Sequence, residues 1–216
     1  MGDPGKTDAL NGRPLVGVFA LQGDFAKHRA AWDRAGAHTR EVRSAADLEG
    51  LDALSLPGGE STTMLRLLGV LRLRAPFVAA VERLPVFATC AGAILLGKSA
   101  THLPDPPLAV MDVDVLRNAY GRQIDSFEAP VDAPAFGEGA PLTGVFIRAP
   151  RFTRLGPGVE VLARVGQEPV GVRDGRHVAL AFHPELTDDA RPFRWFLDQV
   201  VGAPAPGSTR TRSEAR

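Results

Sequence analysis

Pro85-Val-Phe-Ala-Thr89-Cys90-Ala91-Gly92-Ala-Ile-Leu-Leu-Gly97 passes from one short apolar run to another, with a cysteine at the joint. Residues 85–89 have the length and content of a buried strand, and residues 91–97 those of a helix. A nucleophile at such a joint stands on an elbow that lifts its side chain above the edge of a sheet. The turn draws strand and helix together, so small residues are needed two places before and two places after the cysteine. Ala88 and Gly92 occupy those places. The start of a helix also suits an anion such as a thiolate. A lone cysteine can equally be a small buried apolar residue; the elbow is what favours the nucleophile.

Upstream of the elbow, apolar runs alternate with helical periodicities. Pro14–Ala20 reads as a buried strand. A helix follows from Asp24 to Ala35, with Phe25, His28, Trp32 and Ala35 on one face and Gly36 as its stop. That spacing places His28 at the border of the core or at a surface rather than at a ligand. Thr39–Val42 and Asp52–Leu56 read as further strands, and the second of these ends at Pro57-Gly58-Gly59. Glu60–Leu73 reads as a helix with Met64, Leu65, Leu67, Leu68 and Leu71 as its apolar stripe, and Pro76–Arg83 as another. This succession of strands and helices predicts a parallel sheet covered on both faces.

Downstream the character changes. Residues 112–115, 123–131, 142–148, 159–165, 170–173 and 178–182 read as strands. Asp174-Gly175 signals a hairpin turn, and a last helix spans 188–201 with Phe193, Phe196, Leu197 and Val200 inward. The predicted fold is α/β: a three-layer, flavodoxin-like sandwich around a mixed, mostly parallel central sheet. Its domain covers residues 14–201, between tails at 1–13 and 202–216 that read as disordered.

The bulk composition narrows the function classes. A length of 216 residues with 44% hydrophobic residues suits one domain with a sizeable core. Lys+Arg and Asp+Glu are both 25, so the basic excess of a nucleic-acid binder is missing. No run approaches the roughly 18 apolar residues of a membrane span, and Met1–Asn11 lacks the apolar core of a secretory signal. A single cysteine precludes an intrachain disulfide and fits a reducing, cytoplasmic setting. No metal-ligating cluster is visible, and the chemistry below calls for neither metal nor cofactor.

A cysteine nucleophile needs a base. His183 directly follows the strand ending at Phe182, at the kind of strand end where α/β sheets place functional groups. Glu185 comes two residues later, near enough to turn back and fix the imidazole tautomer. Cys90, His183 and Glu185 thus form a candidate nucleophile–base–orienter set. His38, His102 and His177 have no acid so placed. Gly58 and Gly59 allow backbone conformations closed to other residues, so their N–H groups, with that of Ala91, are candidates for an oxyanion hole. A tight turn capped by Ser61 accounts for the same residues, and the two readings are compatible.

Taken together these stretches resemble the class I glutamine amidotransferases, and within them the glutaminases of pyridoxal 5′-phosphate synthesis. The resemblance is carried by Ala20-Leu-Gln-Gly23, Leu56-Pro-Gly-Gly-Glu-Ser-Thr-Thr-Met64, Thr89-Cys-Ala-Gly92 and Arg117-Asn118. It continues through Gly121-Arg-Gln123, Asp125-Ser-Phe-Glu128, Gly144-Val-Phe-Ile-Arg-Ala-Pro150 and Phe182-His-Pro-Glu-Leu-Thr187. It implies that Cys90 attacks the side-chain amide of L-glutamine while His183 and Glu185 move the proton. It further implies that Gly59, Glu60, Ser61, Arg117, Ile147 and Arg148 hold the substrate. The implied partner is a synthase subunit, in a large hetero-oligomer, that uses the released ammonia; Gln22 lies where such a partner could dock. Pyridoxal phosphate is then the product of the complex and not a cofactor of this chain. Ala88 departs from the glycine usual in the family.

Other readings compete. Gly92-Ala-Ile-Leu-Leu-Gly97-Lys98-Ser99 matches a phosphate-loop pattern, yet its four middle residues suit a buried helix, and the prolines within residues 101–107 preclude a long helix starting at Lys98. A non-catalytic binding protein, a cysteine peptidase or other amidase, and a glutaminase serving imidazole glycerol phosphate synthesis are the remaining alternatives.

Overall fold

The computed structural model describes residues 12–119 and 126–202. The expected tails, apart from residues 12, 13 and 202, lie outside the described residues. So do Gly121-Arg-Gln123, Asp125 and the first residues of the strand expected from 123.

The central sheet is built from β1 (Leu15–Phe19), β2 (His38–Val42), β3 (Ala53–Leu56), β4 (Val86–Thr89), β10 (Val159–Val165), β11 (Glu168–Asp174) and β12 (His177–Leu180). Their spatial order is β10-β11-β12-β4-β3-β1-β2. The β2-β1-β3-β4-β12 portion is parallel throughout, and β10 and β11 extend it antiparallel. β3, β4 and β12 are buried along their whole length, which is why they read as continuous apolar runs without alternation. Ala88 fits between Leu56 and Ala179 with no exposed surface.

Helices cover both faces. On one side α1 (Phe25–Ala35) and α5 (Arg191–Phe196) clamp the sheet. Trp32 meets Phe87, Phe193 and Phe196 with ring centroids 5.3, 4.9 and 5.7 Å away. α1 starts on the Asp24 side chain, which accepts from the Lys27 N–H, and stops at Gly36 in the left-handed conformation, φ 100°. On the other side lie α2 (Ser61–Val70), α3 (Arg74–Arg83) and the buried α4 (Ala91–Leu96), with Phe77 of α3 edge-on to Phe19 of β1.

A single 3-10 turn, Ala46–Leu48, joins β2 to β3, and two helices join β3 to β4, where the sequence placed them. Helix ends differ from the expected ones. α2 ends at Val70, so Leu71 leaves the apolar stripe and is 51% exposed. The last helix begins at Arg191 and closes with a π-helical turn, Leu197–Val201, although its four inward residues are buried as expected.

Two strands were not expected from sequence: β5 (Gly97–Ala100) and β9 (Arg151–Leu155). They flank β6 (Met111–Leu116) in a separate small sheet. Lys98 and Ser99 lie on the exposed face of that sheet, where Lys98 Nζ meets Asp112 at 3.1 Å and Ser99 Oγ meets Asp114 at 2.7 Å. Arg154 bridges both carboxylates at 2.6 and 2.7 Å, and its hydrogen bonds hold them below their usual range. The Gly-Lys-Ser segment is therefore strand, and the phosphate-loop reading fails. A third sheet pairs β7 (Ser126–Val131) with β8 (Leu142–Ile147). It is fastened to the central sheet by Phe146 against Phe182 and by the His183 N–H donating to the Val145 carbonyl at 2.9 Å.

His177 opens β12 almost fully buried, and its Nδ1 has no partner among the described residues. Burial, reinforced by repulsion from Arg176, pushes its pKa down to about 4. The folded value is depressed, so the neutral ring contributes stability above the unfolded value near 6.5, and that stability is lost as pH falls through about 4. The unfolding free energy from urea titrations should therefore decline between those limits, by up to about 3 kcal/mol at the acid end. His177→Gln should flatten the decline; an unchanged slope would assign it to another group.

Candidate active site

Parallel pairing brings three loops to one edge of the sheet. Leu56 is in register with Ala88, and Leu180 with Thr89. The residues that follow these strands, Gly58-Gly59-Glu60, Cys90 and His183-Pro184-Glu185, consequently meet at the C-terminal edge. They open on a cavity of about 340 Å³.

Cys90 occupies the elbow with φ 47° and ψ −105°, a conformation that costs a non-glycine residue on the order of 1–3 kcal/mol. Its N–H donates to the Leu180 carbonyl at 2.8 Å, tying the elbow to β12. Gly92 is required for close packing: a Cβ there would collide with the Leu56 carbonyl oxygen. The Cys90 sulfur lies 3.7 Å from the Ile147 carbonyl oxygen.

His183 Nδ1 and Glu185 Oε1 are 2.7 Å apart, with both residues buried. That bond leaves Nε2 as the nitrogen available to Cys90, and among the described residues Nε2 has no hydrogen-bond partner. Burial opposes charge on the imidazole, but the pull of Cys90 and Glu185 prevails and pushes its pKa up to about 10. Burial likewise raises Glu185, yet the pull of His28 and the bond from His183 hold it well below the carboxylate range. The result is a buried ion pair in which each charge sustains the other.

Gly58 lies flat against this pair. A Cβ at Gly58 would collide with Cε1 of His183 and come 3.2 Å from Cβ of Cys90. Its N–H donates to Thr89 Oγ1 at 3.0 Å, so this candidate oxyanion donor is engaged inside the protein. Gln22 braces the next residues of the loop, its Oε1 accepting from the Glu60 N–H at 2.9 Å. Ala91, another candidate donor beside Gly59, is the buried first residue of α4.

Gly59, Glu60, Ser61, Arg117, Ile147 and Arg148 all line the same cavity as Cys90, His183, Glu185 and Gly58. Glu60 caps α2, accepting from the Thr62 and Thr63 N–H groups. Burial alone would raise its pKa, but these bonds lower it. Arg117 is fixed by Glu60 Oε1 and Thr62 Oγ1, both at 3.3 Å, and by the His102 carbonyl at 2.5 Å. The wall of the cavity therefore carries both a guanidinium and a carboxylate. Arg148 holds φ 43° at the end of β8. Asp24, Ile94, Asn118 and Leu186 complete the lining and were not expected there.

The largest omission is His28. It is completely buried, with Nδ1 2.8 Å from Ser55 Oγ and Nε2 3.0 Å from Thr89 Oγ1 and 3.3 Å from Glu185 Oε1. The sequence held a signal for it: Ser55 and Thr89 are polar residues inside otherwise apolar strands, and buried polar groups require partners.

The α/β sheet that gathers this cysteine, histidine and carboxylate around one cavity has the fold of the glutamine amidotransferases. Among solved structures, one described as a glutamine amidotransferase matches with a TM-score of 0.80 and 49% identity, covering 87% of this chain and 99% of that one. A glutamine amidotransferase from Thermotoga maritima shares the fold at TM-score 0.58 and 14% identity, over 88% of this chain and 99% of that one. The chain belongs to the SNO glutamine amidotransferase family, whose model matches residues 18–202. Similar proteins include the pyridoxal 5′-phosphate synthase subunit PdxT of Thermus thermophilus, 51% identical over 86% of this chain and 97% of that protein. The protein of the same name from Frankia alni is 52% identical over 87% and 95%.

Proposed function

We propose that this protein is a glutaminase that hydrolyses L-glutamine to L-glutamate and ammonia, and that it supplies the ammonia to a synthase subunit making pyridoxal 5′-phosphate. The observation that carries the reading is the 2.7 Å bond from His183 to Glu185, with the free Nε2 directed to a cysteine on a strained elbow. Membership of the SNO glutamine amidotransferase family supports glutamine as the substrate, and similarity at about half identity to proteins named as pyridoxal 5′-phosphate synthase subunits supports the synthase partner.

In this reading the Cys90 thiolate adds to the side-chain amide carbon of glutamine. The resulting oxyanion is met by backbone N–H groups at Gly59 and Ala91. His183 gives its proton to the departing nitrogen, ammonia leaves, and a thioester remains. His183 then takes a proton from water as the water attacks the thioester, and glutamate is released with the thiolate restored. Glu185 keeps the imidazole in its tautomer throughout. Arg117 suits the substrate α-carboxylate and Glu60 its α-ammonium, with Gly59, Ser61, Ile147 and Arg148 shaping the rest of the wall. One catalytic domain, residues 14–201, carries all of these groups.

The reading includes a switch. The Gly58 amide donates to Thr89 Oγ1, so the oxyanion loop is complete only after that peptide turns toward the cavity. Docking of the synthase subunit beside Gln22, which braces the same loop, is the proposed trigger. Loss of one oxyanion donor costs roughly 10²–10³ in turnover, so activation of that size is expected when the subunit is added in a steady-state glutaminase assay. Full activity of the isolated chain, unchanged by the subunit, would rule out the switch and undercut the pyridoxal phosphate assignment.

A further inference from the structure

His28 belongs to neither the elbow, the Gly-Gly loop nor the His-Pro-Glu turn. It projects from α1 through the protein interior and does not line the cavity. Its contacts nevertheless end on the buried carboxylate. Nε2 lies between Thr89 Oγ1 at 3.0 Å and Glu185 Oε1 at 3.3 Å, and Thr89 Oγ1 is itself 3.4 Å from Glu185 Oε1.

The proton positions follow from counting donors. The ionised Glu185 can only accept. Thr89 Oγ1 receives the Gly58 N–H at 3.0 Å, and its own proton is directed to Glu185. Nε2 of His28 must therefore carry a proton aimed at Thr89 and Glu185. Ser55 secures this from behind, because its hydroxyl can donate to a bare Nδ1 or accept from a protonated one. Three groups, His183, His28 and Thr89, thereby converge on Oε1, while Oε2 of Glu185 has no partner among the described residues. The carboxylate's orientation depends on that single, crowded oxygen.

We propose that His28 is a positioning residue for the triad: anchored by Ser55, its Nε2–H holds Oε1 of Glu185 and the Thr89 hydroxyl, and so sets the line from Glu185 through His183 to Cys90. The inference deepens the glutaminase reading and rests on it for the roles of those three residues. A histidine acting only as core filler would pack equally well as an apolar residue of similar size.

The test compares the full chain carrying His28→Leu, His28→Gln or Ser55→Ala with the unaltered protein. His28→Leu removes both nitrogens, whereas the amide N–H of glutamine can reach the Nε2 position. Two readouts need no substrate: the low-field NMR resonance of the His183 Nδ1 proton, and the rate of Cys90 alkylation by iodoacetamide at neutral pH. The third is kcat and KM for glutamine with the synthase subunit present. His28→Leu should broaden or shift the resonance and lower both alkylation rate and kcat about ten- to a hundredfold, the effect of losing a hydrogen bond to a charged group. KM should stay within about twofold, because the ground-state contacts are untouched. His28→Gln should recover most of the loss, and Ser55→Ala should fall between. A His28→Leu protein with unaltered resonance and alkylation rate overturns the proposal. If that variant does not fold, an unaltered resonance and rate in Ser55→Ala overturns it instead. Should glutamine prove not to be the substrate, only the third readout is lost.

Discussion

Cys90→Ala should produce a folded chain with no measurable glutamine hydrolysis, even with the synthase subunit bound. The substitution removes one sulfur whose hydrogen-bonding contact is the Ile147 carbonyl at 3.7 Å. The elbow is held by other means: the Cys90 N–H on the Leu180 carbonyl and the close fit of Gly92 against Leu56. Alanine retains the positive φ of 47° and its strain, so stability should change little. Turnover should fall by about 10⁶, the scale seen when a triad nucleophile is deleted. Because the chain has one cysteine, a thiol-alkylating glutamine analogue should add a single label to the parent protein and none to the variant. Retained hydrolysis in purified Cys90→Ala would dismiss Cys90 as the nucleophile.

His183→Asn should lower turnover by about 10⁴ or more. Asparagine can donate to Glu185, but it cannot alternate between holding and releasing a proton at the position of Nε2. The pKa pushed up to about 10 in the folded protein means that the imidazole is charged at neutral pH, ready to protonate the departing ammonia. Glu185→Gln removes the charge that sustains this state and should cost somewhat less, since ring orientation is partly preserved. Single-turnover kinetics with saturating glutamine separate the step affected. Near-normal turnover in His183→Asn would require another base, and His28 is the other imidazole in contact with Glu185.

Much of the catalytic core is legible in sequence because it is local. The elbow lies within residues 88–92, and the histidine and its acid are two residues apart. Buried parallel strands announce themselves as uninterrupted apolar runs, as β3 and β4 do. β5 and β9 escape because they are short and polar on their exposed face: Lys98, Ser99, Arg151 and Arg154 resemble loop or helix-end residues until their ion partners on β6 or β11 are known. Leu71 fits a helical stripe by spacing alone, but the chain turns at Arg72, φ 54°, one step too soon to bury it. The role of His28 is invisible locally because each of its partners is distant in the chain: Ser55, Thr89 and Glu185. Periodicity assigns it to an inward face but not to what it meets there.

The place of β12 in the sheet has a consequence for biosynthesis. It lies directly beside β4, although residues 90–176 separate the two strands in the chain. A ribosome delivers β1, β2, β3 and β4 early, and throughout the translation of the intervening segment β4 is a bare edge of Val86-Phe87-Ala88-Thr89. Such an apolar, unpaired edge invites association with other chains. Closing it requires a long-range pairing of the kind that slows folding. That same pairing delivers His183 to Cys90, so the nascent protein acquires its chemistry in the step that removes its stickiest edge.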